Sequence, residues 1–553
     1  MTKVIDFQTD PSRYRHWKVT YDGEVAHLTM DVDEDGGLFD GYQLKLNSYD
    51  LGVDIELNDV VQRMRFEHPE VKVAIMQSGK DKVFCAGANI RMLGGATHQH
   101  KVNFCKFTNE TRNTYEAAEN DSGQKYIAAV KGSCAGGGYE LALACNYIML
   151  TDDSSSAVSL PEVPLLAVLP GTGGLTRVTD KRKVRRDRAD VFCAMEEGVR
   201  GKRAKQWRLV DEVVPNSKFD ATVAERAREF AAASTKPAAE KGIALNPLKR
   251  DFAEDGSVRY SLVEVSVDRA ARTAEIMLSG PEADAPASMQ DMLAQGDQAY
   301  LLRLARELDD AILHLRTNEP ELGVITFRSQ GDPEAVLAHE ALLLNNKDHW
   351  LANEVLAFWK RVLKRVDVTS RSLVALVEHG SCFAGVLAEV LWAVDRSYMM
   401  EDEFEGDNRP VATITLSEGN FGQYPMGNDI TRLDTRFLGE PETVSALKDK
   451  IGDPIEAEEA DEVGIVTYIL DDIDWEDEIR IFMEERASFS PDAMTGMEAN
   501  LRFAGPETME TRIFGRLTAW QNWIFQRPNA VGPEGALQRY GSGVKGEYDM
   551  NRV

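Results

Sequence analysis

The chain has 553 residues and a mass of 61.5 kDa, more than one hydrophobic core usually supports, so a single small module is excluded and two or three domains are expected. Its composition, 43% hydrophobic, 28% charged and 8% aromatic, is that of a globular protein with a large interior rather than a disordered or fibrous one. With 63 Lys+Arg against 91 Asp+Glu the formal charge is −28, a field that disfavours nucleic acid and anionic membranes and obliges an anionic small ligand to find a local basic pocket. Cys85, Cys105, Cys134, Cys145, Cys193 and Cys382 show no CxxC spacing, so neither a disulfide framework nor a thiolate metal site is expected. MTKVIDFQTDPSRYRH has no apolar targeting core, and no apolar run reaches membrane-spanning length. A cytoplasmic location is the expectation.

The first regular elements in chain order are two alternating strands in Trp17–Met30 around the hairpin signal Asp22-Gly23. The buried-strand pattern VKVAIM (71–76) runs into KDKVFCAGANIRML (80–93), where Gly87 permits a close backbone turn and Asn89 can start a helix whose first N–H groups are unpaired. A helical stretch follows and carries Cys105. The strand YIAAV (126–130) leads to GSCAGGGYE (132–140), in which three glycines stand directly before a helix opening with Tyr139 and Glu140. Two such loops on neighbouring strands can aim two backbone N–H groups at one oxygen, an oxyanion hole. AVSLPEVPLLAVLPGTGGLTR (157–177) supplies Glu162, 22 residues beyond Glu140 and between Leu160 and Val163. An apolar setting raises a carboxyl pKa, so the two glutamates form an acid/base pair in this reading. The run KRKVRRDR (181–188) holds six positive residues of eight; it reads as a solvated helix face, with the sharper alternative that some of it offsets phosphate charge on a ligand.

The second half repeats the first at a spacing of about 250 residues. YIAAVKGSCAGGGYELALACNYIML (126–150) corresponds to LVALVEHGSCFAGVLAEVLWAVDRSYMM (373–400), and four further pairs keep the order: HPEVKV with EPELGV, AVSLPE with TITLSE, LVDEVVP with VGIVTYI, and ASTKP with ASFSP. The polar stretch from Ala239 to Ser257 is the best boundary. The expected organisation is α/β: a catalytic domain over 1–250, a degenerate second copy over 251–486 and a C-terminal helical region over 487–553. In copy two His339 and Glu340 stand where Gly87 and Ala88 do, Ala384-GVL replaces the glycine triplet, and Glu389 and Glu418 match Glu140 and Glu162. The expectation is a structural copy without an oxyanion hole, with a second ligand site as the minority reading.

FCAGANIRML, GSCAGGGYELALAC and SLPEVPLLAVLPGTGGLTR resemble the three signature segments of the crotonase (enoyl-CoA hydratase/isomerase) superfamily, over roughly residues 17–245 and more weakly beyond. The resemblance implies a ββα spiral, an acyl-CoA thioester substrate, and enolate stabilisation by the N–H groups of Ala88 and Gly137. It also implies acid/base roles for Glu140 and Glu162, adenine contacts from the backbone of Ala86 and Ala88, and no metal or cofactor beyond the coenzyme A of the substrate. Relatives place acyl-pocket walls near Cys105, which enters as a third candidate; the plainer reading of that thiol is a small packing residue. Among long members the chain resembles the ring-cleaving branch that opens the epoxide or dihydrodiol of benzoyl-CoA. An ordinary enoyl-CoA hydratase/isomerase with a fused domain is the alternative, and a non-catalytic or RNA-binding relative the weakest reading. A homodimer is expected, without nucleic-acid or membrane partners.

Overall fold

Residues 4–236, 241–401 and 408–553 are described by a computed structural model. The chain divides into two compact units, Asp6–Pro247 and a second formed by Leu248–Val553 with the chain's first residues up to Ile5.

In the first unit β1 (Trp17–Asp22) and β2 (Val25–Met30) pair antiparallel from Trp17↔Met30 to Asp22↔Val25, closed at Gly23 with φ +56°. Strands β3 (Val73–Ser78), β5 (Lys125–Val130), β7 (Tyr147–Asp152) and β9 (Glu212–Pro215) extend the sheet in parallel in the order β1-β2-β3-β5-β7-β9. The crossovers carry α1 (Leu51–Phe66), capped by the Asp50 side chain on Gly52 N–H and Val53 N–H, then α2 (Ile90–Gly95) and α3 (His98–Glu116). After β5 come α4 (Gly137–Ala144) and α5 (Glu162–Leu166), and α6 (Phe219–Ala233) closes the unit. Strands buried on both faces explain the near-continuous apolar runs: Val73, Ile75, Ile127, Ala129 and Met149 pack with Phe219, Val223 and Ala227 of α6.

The same unit holds a second, smaller sheet. β4 (Val83–Cys85), β6 (Ser133–Ala135) and β8 (Ala157–Ser159) run parallel in the order β4-β6-β8. The three segments singled out in the sequence leave the ends of these neighbouring strands, so their loops are held side by side.

The second unit has an eight-stranded sheet, β10 (Asp251–Phe252), β11 (Val258–Arg259), β12 (Val263–Asp268), β13 (Thr273–Ser279), β14 (Val324–Gln330), β15 (Ser372–Val377), β16 (Arg396–Met400) and β19 (Tyr468–Leu470). It is antiparallel through β13 and parallel from β13 to β19. Between strands lie α7 (Tyr300–Asn318), α8 (Pro333–Leu344), α9 (Trp350–Asp367) and α10 (Glu389–Ala393). Where the first unit has its small parallel sheet, this one has bridges at Ala384–Thr415 and Leu416–Ile451 and an antiparallel pair, β17 (Ile414–Thr415) with β18 (Pro454–Ile455). The helices beyond residue 486 belong to this unit: Glu498 on α11 (Pro491–Leu501) accepts from Ser372 Oγ at 2.5 Å and Arg552 Nη2 at 2.8 Å, and Arg502 pairs with Asp395. No helix among the described residues is long and apolar enough to cross a membrane.

Candidate active site

The loop after β4 turns at Gly87, φ +93°, and the loop after β6 at Gly136, φ +53°. They touch without a side chain between them: a Cβ on Gly87 would lie 2.8 Å from Gly137 N and 2.9 Å from Ala135 O. Gly138 is constrained as tightly, its Cβ position 2.3 Å from Cys85 O. Glycine at 87 and 138 is therefore a contact requirement between two backbones, and at 87 also a conformational one. Gly137 opens α4, so its N–H has no partner inside the helix. Neither Ala88 N–H nor Gly137 N–H meets a backbone acceptor among the described residues. Ala86 N–H donates to Leu46 O at 3.1 Å, which leaves its carbonyl as the group to offer a ligand.

The two glutamates differ sharply in setting. Glu140 is 2% exposed, and Thr172 N–H (3.0 Å), Gly174 N–H (2.7 Å) and the Thr172 hydroxyl all donate to it. It thus ties α4 to the loop at 171–174. Glu162 opens α5 beside Gly136, whose Cβ position is 2.8 Å from Glu162 Oε1, and its Oε2 is buried without a hydrogen-bond partner. Burial, then the charge of Glu140, push the Glu162 carboxyl up to about 7. Of the pair, Glu162 is the carboxyl poised to exchange a proton near neutrality, and Glu140 is the one fully engaged by its neighbours.

Cys105 lies on α3, its Sγ 3.6 Å from a Cβ placed on Gly171. Burial and then Glu140 push the thiol up to about 11, so it faces the site as a protonated thiol. Cys85 and Cys145 are buried and pushed up to about 12 by desolvation, which fits packing roles.

Sequence reasoning missed Tyr49, Arg112 and Thr172. Tyr49 brackets Ala88 by donating its N–H to Gly87 O (3.0 Å) and accepting Asn89 N–H (2.8 Å). Arg112 is 1% exposed and donates through Nη2 to Tyr49 Oη (2.8 Å) and Gly137 O (3.0 Å), and through Nη1 to Thr172 O (3.4 Å). The signal available was an arginine on the otherwise buried stripe Phe104, Thr108, Arg112, spaced by one helical turn. Buried Asp54 lies within electrostatic reach, accepts from Thr108 and is pushed up to about 6 by desolvation.

Most of the basic run is committed internally. Lys181 binds Glu116 and the carbonyls of Ala144 and Cys145 at the end of α4, Arg182 binds Asp211, Arg185 binds Asp187, and Arg188 donates to Gln206 O. Arg186 instead lines a cavity of about 470 Å³ with Val163, Thr176, Thr179 and Cys193.

In the second unit α8 runs unbroken through His339 and Glu340, so no loop presents an amide there. Gly385 stands four residues before Glu389, as Gly136 stands before Glu140, with φ +52° against +53°. The carboxyl over this glycine is that of Glu340, not Glu418: Glu340 Oε2 occupies the Cβ position of Gly385, Tyr424 Oη donates to its Oε1 at 2.7 Å, and Glu418 is exposed. Glu418 therefore does not play the part of Glu162 that the alignment gave it, because the third segment turns its glutamate outward and α8 fills the space. Glu389 is paired with Asn420 (2.8 Å) and Arg432 (3.1 Å). Burial pushes both Glu340 and Glu389 up to about 7.

Two amide-bearing loops and a buried carboxyl thus sit on a parallel βα scaffold, and the pattern of the enoyl-CoA hydratase/isomerase family matches residues 43–255. The fatty acid oxidation complex subunit alpha of Aliivibrio fischeri is 29% identical over 251 residues, 45% of this chain and 34% of that protein. The solved enoyl-CoA hydratase of Bacillus anthracis is 26% identical with a TM-score of 0.34, covering 39% of this chain and 77% of that one. One relative spans the whole molecule: benzoyl-CoA-dihydrodiol lyase of Aromatoleum evansii is 55% identical over 553 residues, 100% of this chain and 99% of that protein. The chain belongs to the benzoyl-CoA-dihydrodiol lyase family of crotonase-type enzymes.

Proposed function

We propose that the protein is a ring-cleaving lyase acting on 2,3-epoxy-2,3-dihydrobenzoyl-CoA or its dihydrodiol, releasing 3,4-didehydroadipyl-CoA semialdehyde and formate. Full-length identity to a benzoyl-CoA-dihydrodiol lyase carries the reading. Atom balance takes two waters from the epoxide and one from the dihydrodiol, with no net oxidation, so the reaction calls on no redox cofactor. Freeing one ring carbon as formate breaks both of its ring C–C bonds; after the first opening water adds to that carbon, and as its bond to the thioester-bearing carbon breaks, the electron pair passes into the thioester carbonyl as an enolate. The Ala88 and Gly137 N–H groups hold the resulting oxyanion, a type of interaction whose single donors are worth about 10²–10³ in rate. Glu162, unpartnered at Oε2 and titrating near 7, takes a proton from the attacking water and returns it to the enolate carbon that stays with the thioester. Glu140 holds the 171–174 loop that faces Cys105, and the Cys105 thiol contacts the ring. The Ala86–Ala88 backbone holds the adenine, and Arg186 offsets charge at the cavity.

In this reading the second unit is a degenerate copy that serves structure, its pseudo-site filled by Glu340. The protein works in the cytoplasm as a homodimer. The apolar groove of about 830 Å³ along Met497, Leu501, Met509, Leu517, Trp520 and Phe525 supports the dimer. The test is a mass-spectrometric product assay with 2,3-epoxybenzoyl-CoA and crotonyl-CoA, wild type beside Glu162→Gln. Formate and the opened semialdehyde-CoA, lost in the variant, are expected. Hydration of crotonyl-CoA with the ring thioester intact would return the protein to the hydratases.

A further inference from the structure

We propose that Tyr49 and Arg112 form the positioning element of the oxyanion site, setting the separation of the two loops that carry the Ala88 and Gly137 amides. The inference rests on the reading of those amides given above.

Two N–H groups on separate loops stabilise one developing charge only if both are held to within about 0.5 Å of the productive place. The small sheet fixes where the loops begin, but something must fix how closely their tips approach. Tyr49 grips the first loop through its backbone, on both sides of Ala88. Its phenol reaches the second: a Cβ on Gly137 would lie only 2.0 Å from Tyr49 Oη. One residue thus spans from the Ala88 peptide to the Gly137 peptide as a rigid strut.

Arg112 locks the strut. A single nitrogen, Nη2, is shared between Tyr49 Oη and the Gly137 carbonyl, and Nη1 reaches Thr172 O in the loop that Glu140 holds. The planar guanidinium serves these acceptors from one fixed fork, which the point charge of lysine does not reproduce. Its position also places positive charge behind the Gly137 peptide. A purely electrostatic partner for Asp54 would not need these three contacts to oxyanion-site and glutamate-loop atoms. Arg112 and Tyr49 act through the amides, so both are positioning residues.

The test uses the full-length protein with benzoyl-CoA carrying ¹³C at the thioester carbonyl, read by isotope-edited infrared difference spectroscopy, beside steady-state kinetics on the epoxide. Tyr49→Phe keeps the ring and removes the acceptor of Arg112; Arg112→Lys keeps the charge and removes the fork. In wild type the bound carbonyl stretch is expected to move to lower frequency. In both variants that displacement is expected to shrink by about half or more, with kcat down about 10- to 100-fold and KM changed less than about threefold. If wild type shows no displacement, the amide reading fails and the inference falls with it. If wild type shows it and Tyr49→Phe retains it in full with unchanged kcat, the amides stand and the positioning role is overturned. Should Arg112→Lys not fold, Tyr49→Phe decides alone.

Discussion

Glu162→Gln is expected to make the first unit more stable above neutral pH while removing activity. The buried carboxyl titrates at about 7 against the usual 4.5 for glutamate. Below pH 4.5 the group is protonated in folded and unfolded chains alike and its stabilising contribution is fully present. As pH rises from 4.5 to 7 the unfolded chain gives up its proton first, so folding loses stability through this window, and above 7 the loss is complete. At 1.36 kcal/mol per pH unit, that interval of 2.5 amounts to about 3 kcal/mol; solvent reaching the mouth of the site reduces it to about 1–3 kcal/mol. Glutamine is neutral throughout and does not incur the loss. Because an amide also brings a buried donor needing a partner, the diagnostic quantity is the change in the mutant-minus-wild-type difference between pH 5 and pH 8, not its absolute value. Hydrogen exchange of the β6–α4 peptides reports it locally, avoiding the assumption that a two-unit chain unfolds in one step. The variant should gain about 1–3 kcal/mol relative to wild type on going from pH 5 to pH 8. A flat difference would refute the claim that Glu162 is held against its charge.

Gly87→Ala should fold with the first unit weakened by about 1–3 kcal/mol from the φ +93° strain, and lose about 10²–10³ in kcat because a Cβ cannot sit 2.8 Å from Gly137 N without displacing that amide. Retained kcat would separate the loop from the chemistry. Cys105, held protonated with a pKa of about 11, should alkylate slowly at pH 7.5 and tenfold faster for each pH unit up to about 10, as followed by peptide mass spectrometry; rapid pH-independent labelling would show a thiolate. Arg552→Ala leaves buried Glu498 without its 2.8 Å partner and should cost about 3–5 kcal/mol in urea unfolding of the second unit, a loss under 1 kcal/mol arguing that Arg502 compensates.

Sequence and structure agree where the requirement is local to a few backbone atoms. Gly87 and Gly138 are legible because no other residue fits two backbones that close, and the alternation of buried strands and helices announces the sheet. Tyr49 and Arg112 are not legible because what they do depends on three segments more than 20 residues apart meeting in space. Glu140 and Glu162 are equally visible as glutamates beside glycine-rich stretches, yet only the packing of Thr172 and Gly174 on one and the orphaned oxygen of the other separates their characters. Glu340 is the sharpest case. Alignment marks it as the residue that displaces Ala88, but its occupation of the space over Gly385 follows from the path of α8, which no motif encodes.

The small β4-β6-β8 sheet also bears on what a second site in this molecule would require. At the comparable place the second unit holds isolated bridges and a short antiparallel pair, and His339 and Glu340 lie inside α8. Writing glycine at His339 and alanine at Glu340 would yield a weakened helix with a cavity beside Gly385, not an oxyanion site. The obstacle lies in the scaffold under the loops, so a strand would have to be built there before any catalytic residue could matter.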